Sequence, residues 1–206
     1  MSSKEHWETI FKNKALDEVS WYEPTPSFSI DLFRKHASDT SASILNIGGG
    51  DSLLFDYLVK EGYNNLHLLD ISATAIARAK RRLQHAEKSI KYINTDITDF
   101  NPLQTYNIWF DRAAFHFLTD ARSVEKYVNV LKSSTDSSSI IIIGTFSKNG
   151  PIKCSGIDIQ QYDEIDFRAL FGASFDVLEV INTDHETPSG KIQNFNFVVM
   201  KKAVTS

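Results

Sequence analysis

Three features that the chain lacks exclude whole classes of protein. It has little cysteine, no excess of basic residues and no long hydrophobic run. Cys154 is the single cysteine, which excludes an intrachain disulfide and any multi-cysteine metal cluster. Lysine and arginine number 22 against 26 acidic residues, and the net charge of −4 argues against a nucleic-acid partner. The longest aliphatic run covers only residues 140–143 and the N-terminus is polar, so neither a membrane helix nor a secretory signal is predicted. The sequence therefore predicts a soluble, cytoplasmic protein without membrane contact.

The length of 206 residues predicts one domain with a small appendage. Apolar residues at helical spacing predict two helices, over residues 4–14 and 27–36, before the pattern changes at residue 41. Pro24 and Pro26 prevent a continuous helix, so the two helices are joined by an aromatic hinge over residues 19–24. We therefore predict an N-terminal helical cap over residues 1–40 and a core over residues 41–206.

From residue 41 onward, apolar strands alternate with helices, which is typical of βαβ units and a parallel sheet. The last two strands are joined by a turn over residues 187–190 without a helix, which predicts an antiparallel pair. The expected fold is α/β, with a mostly parallel sheet and one reversed strand at its end. The predicted strands cover residues 43–47, 66–69, 90–93, 108–110, 140–144, 175–181 and 195–200, and the predicted helices cover residues 53–58, 73–85, 124–131 and 162–171.

A glycine turn follows the first strand of this core and precedes a helix. Such a turn lets a ligand approach the backbone closely. Twenty residues after Gly50 the next strand ends in Asp70, which is the spacing of a carboxylate that binds ribose hydroxyls. A dinucleotide site would need a third glycine where Leu53 stands, and its absence argues against NAD or FAD.

S-adenosylmethionine is the other ligand that this geometry suits, because it carries no phosphate. It needs a carboxylate for its ribose, a polar group for its adenine and room for its methionine tail. Asp96 ends the third strand, where it can accept a hydrogen bond from the adenine amino group, and Ile97 can cover the ring. These groups follow the carboxyl ends of strands, where ligands bind in open α/β sheets.

Four stretches of the chain resemble, in order and spacing, the motifs of the class I S-adenosylmethionine-dependent methyltransferases. The resemblance covers about residues 41–200. It implies a doubly wound, mostly parallel seven-stranded sheet whose last strand is antiparallel, and S-adenosyl-L-methionine as the cofactor. The matching stretches are residues 45–50, 68–72, 94–97 and 107–118.

Two positions depart from the family pattern. Asn46 stands where the family usually has an acid that helps to hold the methionine amino group, and Ser52 stands where it often has glycine. An asparagine accepts one hydrogen bond there without carrying charge. Either Asp51 compensates or the affinity for the cofactor is lower.

The spacing and the resemblance together predict which residues touch the cofactor and which act on the acceptor. Asp111 and His116 follow the fourth strand, beside the expected place of the methyl group, and are the candidate catalytic residues. A structural ion pair of Asp111 with Arg112 and a histidine packed between Phe115 and Phe117 are the alternatives. The predicted cofactor-binding residues are Gly48, Gly49, Gly50, Asp70, Ile71, Asp96, Ile97 and Asp111.

The acceptor is predicted to bind between the hinge, the segment after the fourth strand and the loop of residues 150–156. Tyr22, Arg112 and Cys154 are the candidate substrate-binding residues in these three places. His116, Cys154 and His185 are metal-ligand types, but no local spacing supports a metal site, and none is predicted.

The sequence thus predicts a methyltransferase that acts on a small-molecule acceptor by in-line attack. No Asn/Asp-Pro-Pro-Tyr motif of base or glutamine methylation is present. A protein lysine methyltransferase is the alternative substrate class, because the segment after the fourth strand is placed as in seven-strand lysine methyltransferases. A non-catalytic S-adenosylmethionine-binding regulatory or scaffold domain is the alternative of another kind, which Asn46 permits. The oligomeric state is not indicated.

Overall fold

Seven strands form one sheet in the computed structural model, which describes residues 3–37 and 39–203. The order across the sheet is β3-β2-β1-β4-β5-β9-β8, and a separate two-stranded hairpin consists of β6 and β7. The strands are β1 (Ile44–Ile47), β2 (Leu66–Asp70), β3 (Ile90–Asn94), β4 (Ile108–Arg112), β5 (Ile140–Phe146), β6 (Lys153–Cys154), β7 (Ile157–Asp158), β8 (Phe175–Glu186) and β9 (Ile192–Lys202). The helices are α1 (Ser3–Asn13), α2 (Ser27–His36), α3 (Leu54–Lys60), α4 (Ala73–Arg82), α5 (Ala121–Ser134) and α6 (Glu164–Phe171).

The first five strands of the sheet run parallel, and β9 pairs antiparallel with β5 and with β8. This confirms the predicted mostly parallel, seven-stranded sheet with a reversed strand near its end. The chain crosses from β3 to β4 by passing over β2 and β1, so the strand order reverses between β1 and β4. A crevice forms at such a switch point, outside the carboxyl ends of the strands.

Two hydrophobic layers hold the helices against the sheet, because successive strand residues face opposite sides. Ile44 and Phe110 face the layer of α2, α3 and α4, whereas Leu45 and Trp109 face the layer of α5 and α6. Within α2, Phe33 is fully buried and its ring lies 5.1 Å from that of Phe110. The second helix of the predicted cap is therefore part of the core packing.

Helix α1 lies across the carboxyl end of the sheet rather than inside a layer. The Glu8 carboxylate accepts a hydrogen bond from the Ala73 N–H at the start of α4, at 2.6 Å. At the other end of α1, Arg78 donates to the Lys14 carbonyl at 2.8 Å and pairs with Asp51. These contacts fix α1 above the crevice.

The predicted boundaries differ from the structure mainly at three places. The helix predicted over residues 73–85 ends at Arg82, and a 3₁₀ segment, Gln84–Ser89, follows it. The strands β8 and β9 are longer than predicted, because each pairs with the other over its whole length. The short hairpin β6–β7 lies in the segment that was expected to be a loop.

Candidate active site

A cleft opens at the switch point between β1 and β4, and its empty volume, including the open mouth, is about 1130 Å³. One end is formed by the segments after β1, β2 and β3, and the other end by α1, the hinge and the segment after β4. Seven of the eight predicted cofactor residues line the cleft: Gly48, Gly49, Gly50, Asp70, Ile71, Asp96 and Ile97. The structure therefore brings these residues together in one cleft, and their contact with the cofactor stays a prediction.

The glycine turn after β1 is shaped by close neighbours as well as by backbone conformation. Gly48 and Gly50 have φ angles of +60° and +53°, which L side chains rarely adopt. A Cβ on Gly48 would lie 2.6 Å from the Cβ of Ala114, and one on Gly49 would lie 2.7 Å from the Asn46 amide nitrogen. Side chains in this turn would clash with the wall of the cleft, so glycine keeps the floor open.

Asp70 ends β2 and its carboxylate is buried at the middle of the cleft. One oxygen accepts the Gly50 N–H at 2.8 Å and the other accepts the Ser72 N–H at 2.7 Å. Burial raises the pKa of Asp70 to about 7, although both backbone hydrogen bonds lower it. Each oxygen keeps a further lone pair, so the carboxylate can still accept two hydroxyl groups.

Asp96 and two isoleucines form the far end of this half of the cleft. One Asp96 oxygen accepts the Thr98 N–H at 2.8 Å and so begins a short 3₁₀ turn. The residue still lines the cleft, together with Ile71 and Ile97. The arrangement offers an apolar slot with an acceptor at its edge, as an adenine ring requires.

These features fit the cofactor that the family resemblance implies. The buried Asp70 suits ribose hydroxyls, the Ile71–Ile97 slot suits adenine, and Asn46 lines the cleft beside the glycine turn. Asp51, the residue expected to compensate for the missing acid at position 46, pairs instead with Arg78 at 3.1 Å. The described residues thus leave Asn46 as the polar side chain of β1 in the cleft.

The other end of the cleft is aromatic. Rings of α1, the hinge and the segment after β4 touch one another: Trp7 lies 5.7 Å from Trp21 and 5.0 Å from Phe117, and Phe11 lies 6.0 Å from Trp21. Neither Trp7 nor Phe11 is among the site residues predicted from the sequence. The concentration of aromatic residues in the first residues of the chain was the signal for this wall.

Arg112 is the cation at this aromatic end, and the structure places it in the cleft as predicted for a substrate-binding residue. Its guanidinium donates to the Trp21 carbonyl at 3.2 Å and lies 3.4 Å from the Glu23 carboxylate. Burial lowers the pKa of Arg112 and the Glu23 charge opposes that shift, yet an arginine stays protonated at neutral pH.

Asp111 is not among the described residues that line the cleft, so the geometry lends no support to its predicted roles in cofactor contact and catalysis. Strand alternation turns it toward α5, away from the face that Arg112 occupies. One carboxylate oxygen accepts the Tyr127 hydroxyl at 2.7 Å, and the other accepts the N–H groups of Ala114 and Phe115. Burial raises the pKa of Asp111 to about 6 against these hydrogen bonds. Its role is to hold the turn after β4.

His116 is likewise not among the described residues that line the cleft, and its packed ring lends no support to its predicted catalytic role. Its side chain is fully buried, with ring centres 4.6 Å from Phe117 and 4.7 Å from Phe146. Nδ1 accepts the Phe146 N–H at 3.3 Å. Burial first, and then the Arg112 charge, lower the pKa of His116 to about 3, so it is neutral at physiological pH.

Tyr22 and Cys154 have different outcomes as candidate substrate-binding residues. Tyr22 is not among the described residues that line the cleft, whereas its two neighbours, Trp21 and Glu23, do line it. Cys154 lies in β6, lines the cleft and is buried, and burial raises the pKa of its thiol. A thiol with a raised pKa is a packing group rather than a nucleophile.

His185 is tied to the hinge rather than to a metal. Its Nε2 lies 2.7 Å from the Ser20 carbonyl, and its Nδ1 lies 3.7 Å from the Glu23 carboxylate. Across residues 3–37 and 39–203, no group of three or more His, Cys, Asp or Glu side chains is arranged to hold a metal ion.

Comparisons with known proteins agree on the type of domain. Residues 44–134 match the family model of a methyltransferase domain. The chain is 25% identical over 127 residues to the EEF1A lysine methyltransferase 2 of Mus musculus, a match that covers 56% of this chain and 51% of the relative. It is 29% identical over 134 residues to the malonyl-(acyl-carrier protein) O-methyltransferase 1 of Ilyobacter polytropus, covering 65% of this chain and 48% of the relative. The chain thus spans about half the length of each of these curated relatives.

The fold has close counterparts among solved structures. An S-adenosylmethionine-dependent methyltransferase from Anabaena variabilis superposes with a TM-score of 0.76 at 12% identity, over 98% of this chain and 96% of that one. In the part of the chain that the structure describes, no helix is long and apolar enough to cross a membrane. Residues 44–134 therefore resemble a methyltransferase domain, and the chain shares its fold with an S-adenosylmethionine-dependent methyltransferase of known structure.

Proposed function

We propose that this chain binds S-adenosylmethionine and transfers its methyl group to a small molecule. The observation that carries the proposal is the continuity of the cleft, which runs from the glycine turn and Asp70 to the aromatic end at Trp21 and Arg112. In this proposal one end receives a nucleoside with an amino-acid tail, and the other, aromatic end receives the acceptor. A domain that only bound the cofactor would not need the second space.

The residues at the first end divide the binding between them. Asp70 holds the ribose hydroxyls, Asp96 accepts from the adenine amino group, and Ile71 and Ile97 enclose the ring. Asn46 and the glycine turn receive the amino-acid tail. When bound, S-adenosylmethionine supplies a methyl group that is already activated by its sulfonium sulfur.

The protein's own contribution is alignment and exclusion of water. Neither Asp111 nor His116 reaches the cleft, so a strong general base is not among the parts of the mechanism that we propose. Holding two reactants in the correct geometry contributes up to about 7–11 kcal/mol. The rings of Trp7, Phe11 and Trp21 close over the acceptor end and keep water from the reacting groups.

A protein lysine side chain is the second candidate acceptor. The names of the mouse relative and of its human counterpart, which is 24% identical over 147 residues, describe lysine methylation. The name of the Ilyobacter relative describes O-methylation of a malonyl group, so the matched relatives differ in acceptor. The Glu23 carboxylate at the aromatic end suits a lysine ammonium group as well as it suits Arg112.

The test combines binding with transfer. Calorimetry with S-adenosylhomocysteine measures cofactor binding, and methyl-labelled S-adenosylmethionine is then incubated with the chain and a cell extract that is split into protein and small-molecule fractions. Label in the small-molecule fraction supports the proposal, and label in protein supports the lysine alternative. Binding without transfer in either fraction would identify a scaffold domain, and the absence of binding would reject all three. Asp70→Ala, which loses both ribose contacts, is the matched control.

A further inference from the structure

The guanidinium of Arg112 has one nitrogen that is hydrogen-bonded to the protein and another that has no hydrogen-bond partner among the described residues. Its side chain is only 13% exposed. Nη1 donates to the Trp21 carbonyl at 3.2 Å, and the Phe195 ring lies 5.2 Å from Cζ. Among the described residues, the buried Nη2 has no hydrogen-bond partner. A buried charged donor without an acceptor is costly, so this nitrogen is prepared for one.

Glu23 lies where that acceptor would be, but it does not make the bond. Its Oε1 is 3.4 Å from Arg112 Nη2, close enough for an ion pair, while Nη2 still lacks a hydrogen bond. Glu23 belongs to residues 19–26, which form neither a helix nor a strand, and its side chain is 21% exposed. The Glu23 carboxylate can therefore move away without breaking regular structure.

Apart from Glu23, the side chains that face the cleft beside Arg112 are mainly apolar. Trp7, Trp21, Phe117 and Cys154 line the same end of the cleft. A guanidinium presents a rigid fork of donors that matches a carboxylate, and the pairing strengthens when water is excluded. A ligand that suits this end has one carboxylate and an apolar body.

We propose that the methyl acceptor is a carboxylic acid with an apolar body, whose carboxylate pairs with Arg112 and displaces Glu23. The inference rests on the proposed function, because it takes the aromatic end as the acceptor site. Glu23 then acts as an internal substitute for the acceptor's carboxylate: it neutralises Arg112 in the free protein and gives way to the ligand.

The three tryptophans allow a direct test with the full chain. The indole N–H signals of Trp7 and Trp21 report on the aromatic end in ¹⁵N NMR spectra. Trp109 is fully buried, with its Nε1 donating to Tyr127, and serves as an internal reference. The probes are phenylacetate, 3-phenylpropionate and octanoate, each paired with its primary amide, with and without S-adenosylhomocysteine. At least one acid is expected to shift the two cleft signals with a Kd at least tenfold lower than that of its amide.

Two substitutions are expected to change the affinity for the acid in opposite directions. Glu23→Gln removes the competing charge and is expected to tighten binding of the acid severalfold, without tightening that of the amide. Arg112→Met is expected to abolish the preference for the acid. Arg122→Met changes an exposed arginine on α5 and is the matched control.

Acids that bind no better than their amides would overturn the proposal, and so would a Glu23→Gln variant that leaves acid binding unchanged. If Arg112→Met fails to fold, the Glu23→Gln result still shows whether the acid competes with Glu23 for Arg112. Because the acid–amide comparison is also made without S-adenosylhomocysteine, a failure of cofactor binding counts against the proposed function alone. An acid preference that survives in folded Arg112→Met would place the carboxylate site elsewhere and reject the assignment.

Discussion

Asp70 couples the cleft to pH, because its carboxylate is buried and its pKa is raised to about 7. Ribose hydroxyls donate hydrogen bonds, so they bind best to the ionised carboxylate. We expect the affinity for S-adenosylhomocysteine to rise between about pH 6 and pH 8, approaching tenfold per pH unit below the pKa of Asp70. Calorimetry across that range measures the slope.

The matched variant for this prediction is Asp70→Asn, which cannot ionise. Its affinity is expected to be at least tenfold lower than that of the native chain at about pH 8, since charge-assisted hydrogen bonds contribute ~1.5–3 kcal/mol each. Its affinity should also change little with pH. A native slope that persists in Asp70→Asn would show that another group titrates.

Asn46 permits a second prediction at this scale. Asn46→Asp places a carboxylate beside the glycine turn, where the ammonium group of the cofactor is expected, and should keep or strengthen cofactor binding. In the free protein the new charge is buried without a partner, because Asn46 is only 4% exposed. We therefore expect a lower Tm without S-adenosylhomocysteine and recovery of that Tm with it. Loss of binding in a folded variant would show that the asparagine has another role.

Single residues also show how far the sequence alone could predict the site. The sequence could predict that the glycine turn, Asp70 and Asp96 lie together, because they follow regular strands whose carboxyl ends meet in one place. The choice between Asp111 and Arg112 required knowing which face of β4 meets α5, and strand alternation allows only one of the two to reach the cleft. In the hinge, Tyr22 and Trp21 lie in irregular backbone, where no period shows which ring points inward.

At the scale of elements, α1 is the part that covers the cleft while contributing little to the core. Phe11 is its buried residue among those described, whereas α2 buries Ser29, Ile30, Leu32 and Phe33. The contact of Glu8 with Ala73 joins positions 65 residues apart. Contacts of that span leave no local pattern in a sequence, so the position of α1 could not be predicted in detail.

We expect Glu8→Ala to loosen α1 without unfolding the sheet. The variant loses the acceptor for the Ala73 N–H, a contact comparable to a helix cap of about 1 kcal/mol, whereas Ser72 still caps α4. Dissociation of S-adenosylhomocysteine should become roughly fivefold faster, because 1.4 kcal/mol corresponds to a factor of ten. Stopped-flow tryptophan fluorescence measures the rate. Lys12→Ala, an exposed change on the same helix, is the control, and equal rates in the two variants would contradict the prediction.

For the whole molecule, buried titratable groups act in opposite directions on stability. His116 and His67 have pKa values lowered by burial to about 3 and about 4. Between pH 6.5 and those values the unfolded chain binds more protons at these histidines, so they lower the free energy of unfolding as the pH falls. Asp70 and Asp111, with pKa values raised to about 7 and about 6, bind protons in the folded state first and raise it. The two effects offset each other in mild acid.

Replacing a buried histidine is expected to reveal the effect of the buried carboxyl groups on the free energy of unfolding. In His116→Phe the free energy of unfolding should rise relative to the native chain by about 2 kcal/mol between about pH 6.5 and pH 5. Urea unfolding at the two pH values measures the difference, which does not depend on the packing cost of the substitution at either pH. His85→Phe, at an exposed histidine, should show no such change. A parallel pH dependence for the native chain and His116→Phe would contradict the prediction.

The residues that line the cleft come from two parts of the chain, one inside and one outside the stretch that matches the family model. The glycine turn, Asp70 and Asp96 fall within residues 44–134, the stretch that matches the methyltransferase-domain model, whereas Trp7, Trp21, Glu23 and Cys154 lie outside it. Under the proposed function, the acceptor end therefore draws on both parts of the chain, because Arg112 and Phe117 lie inside the matched stretch. A chimaera that carries another protein's hinge and β5–α6 segment on this sheet would be expected to keep its methyl donor and change its acceptor.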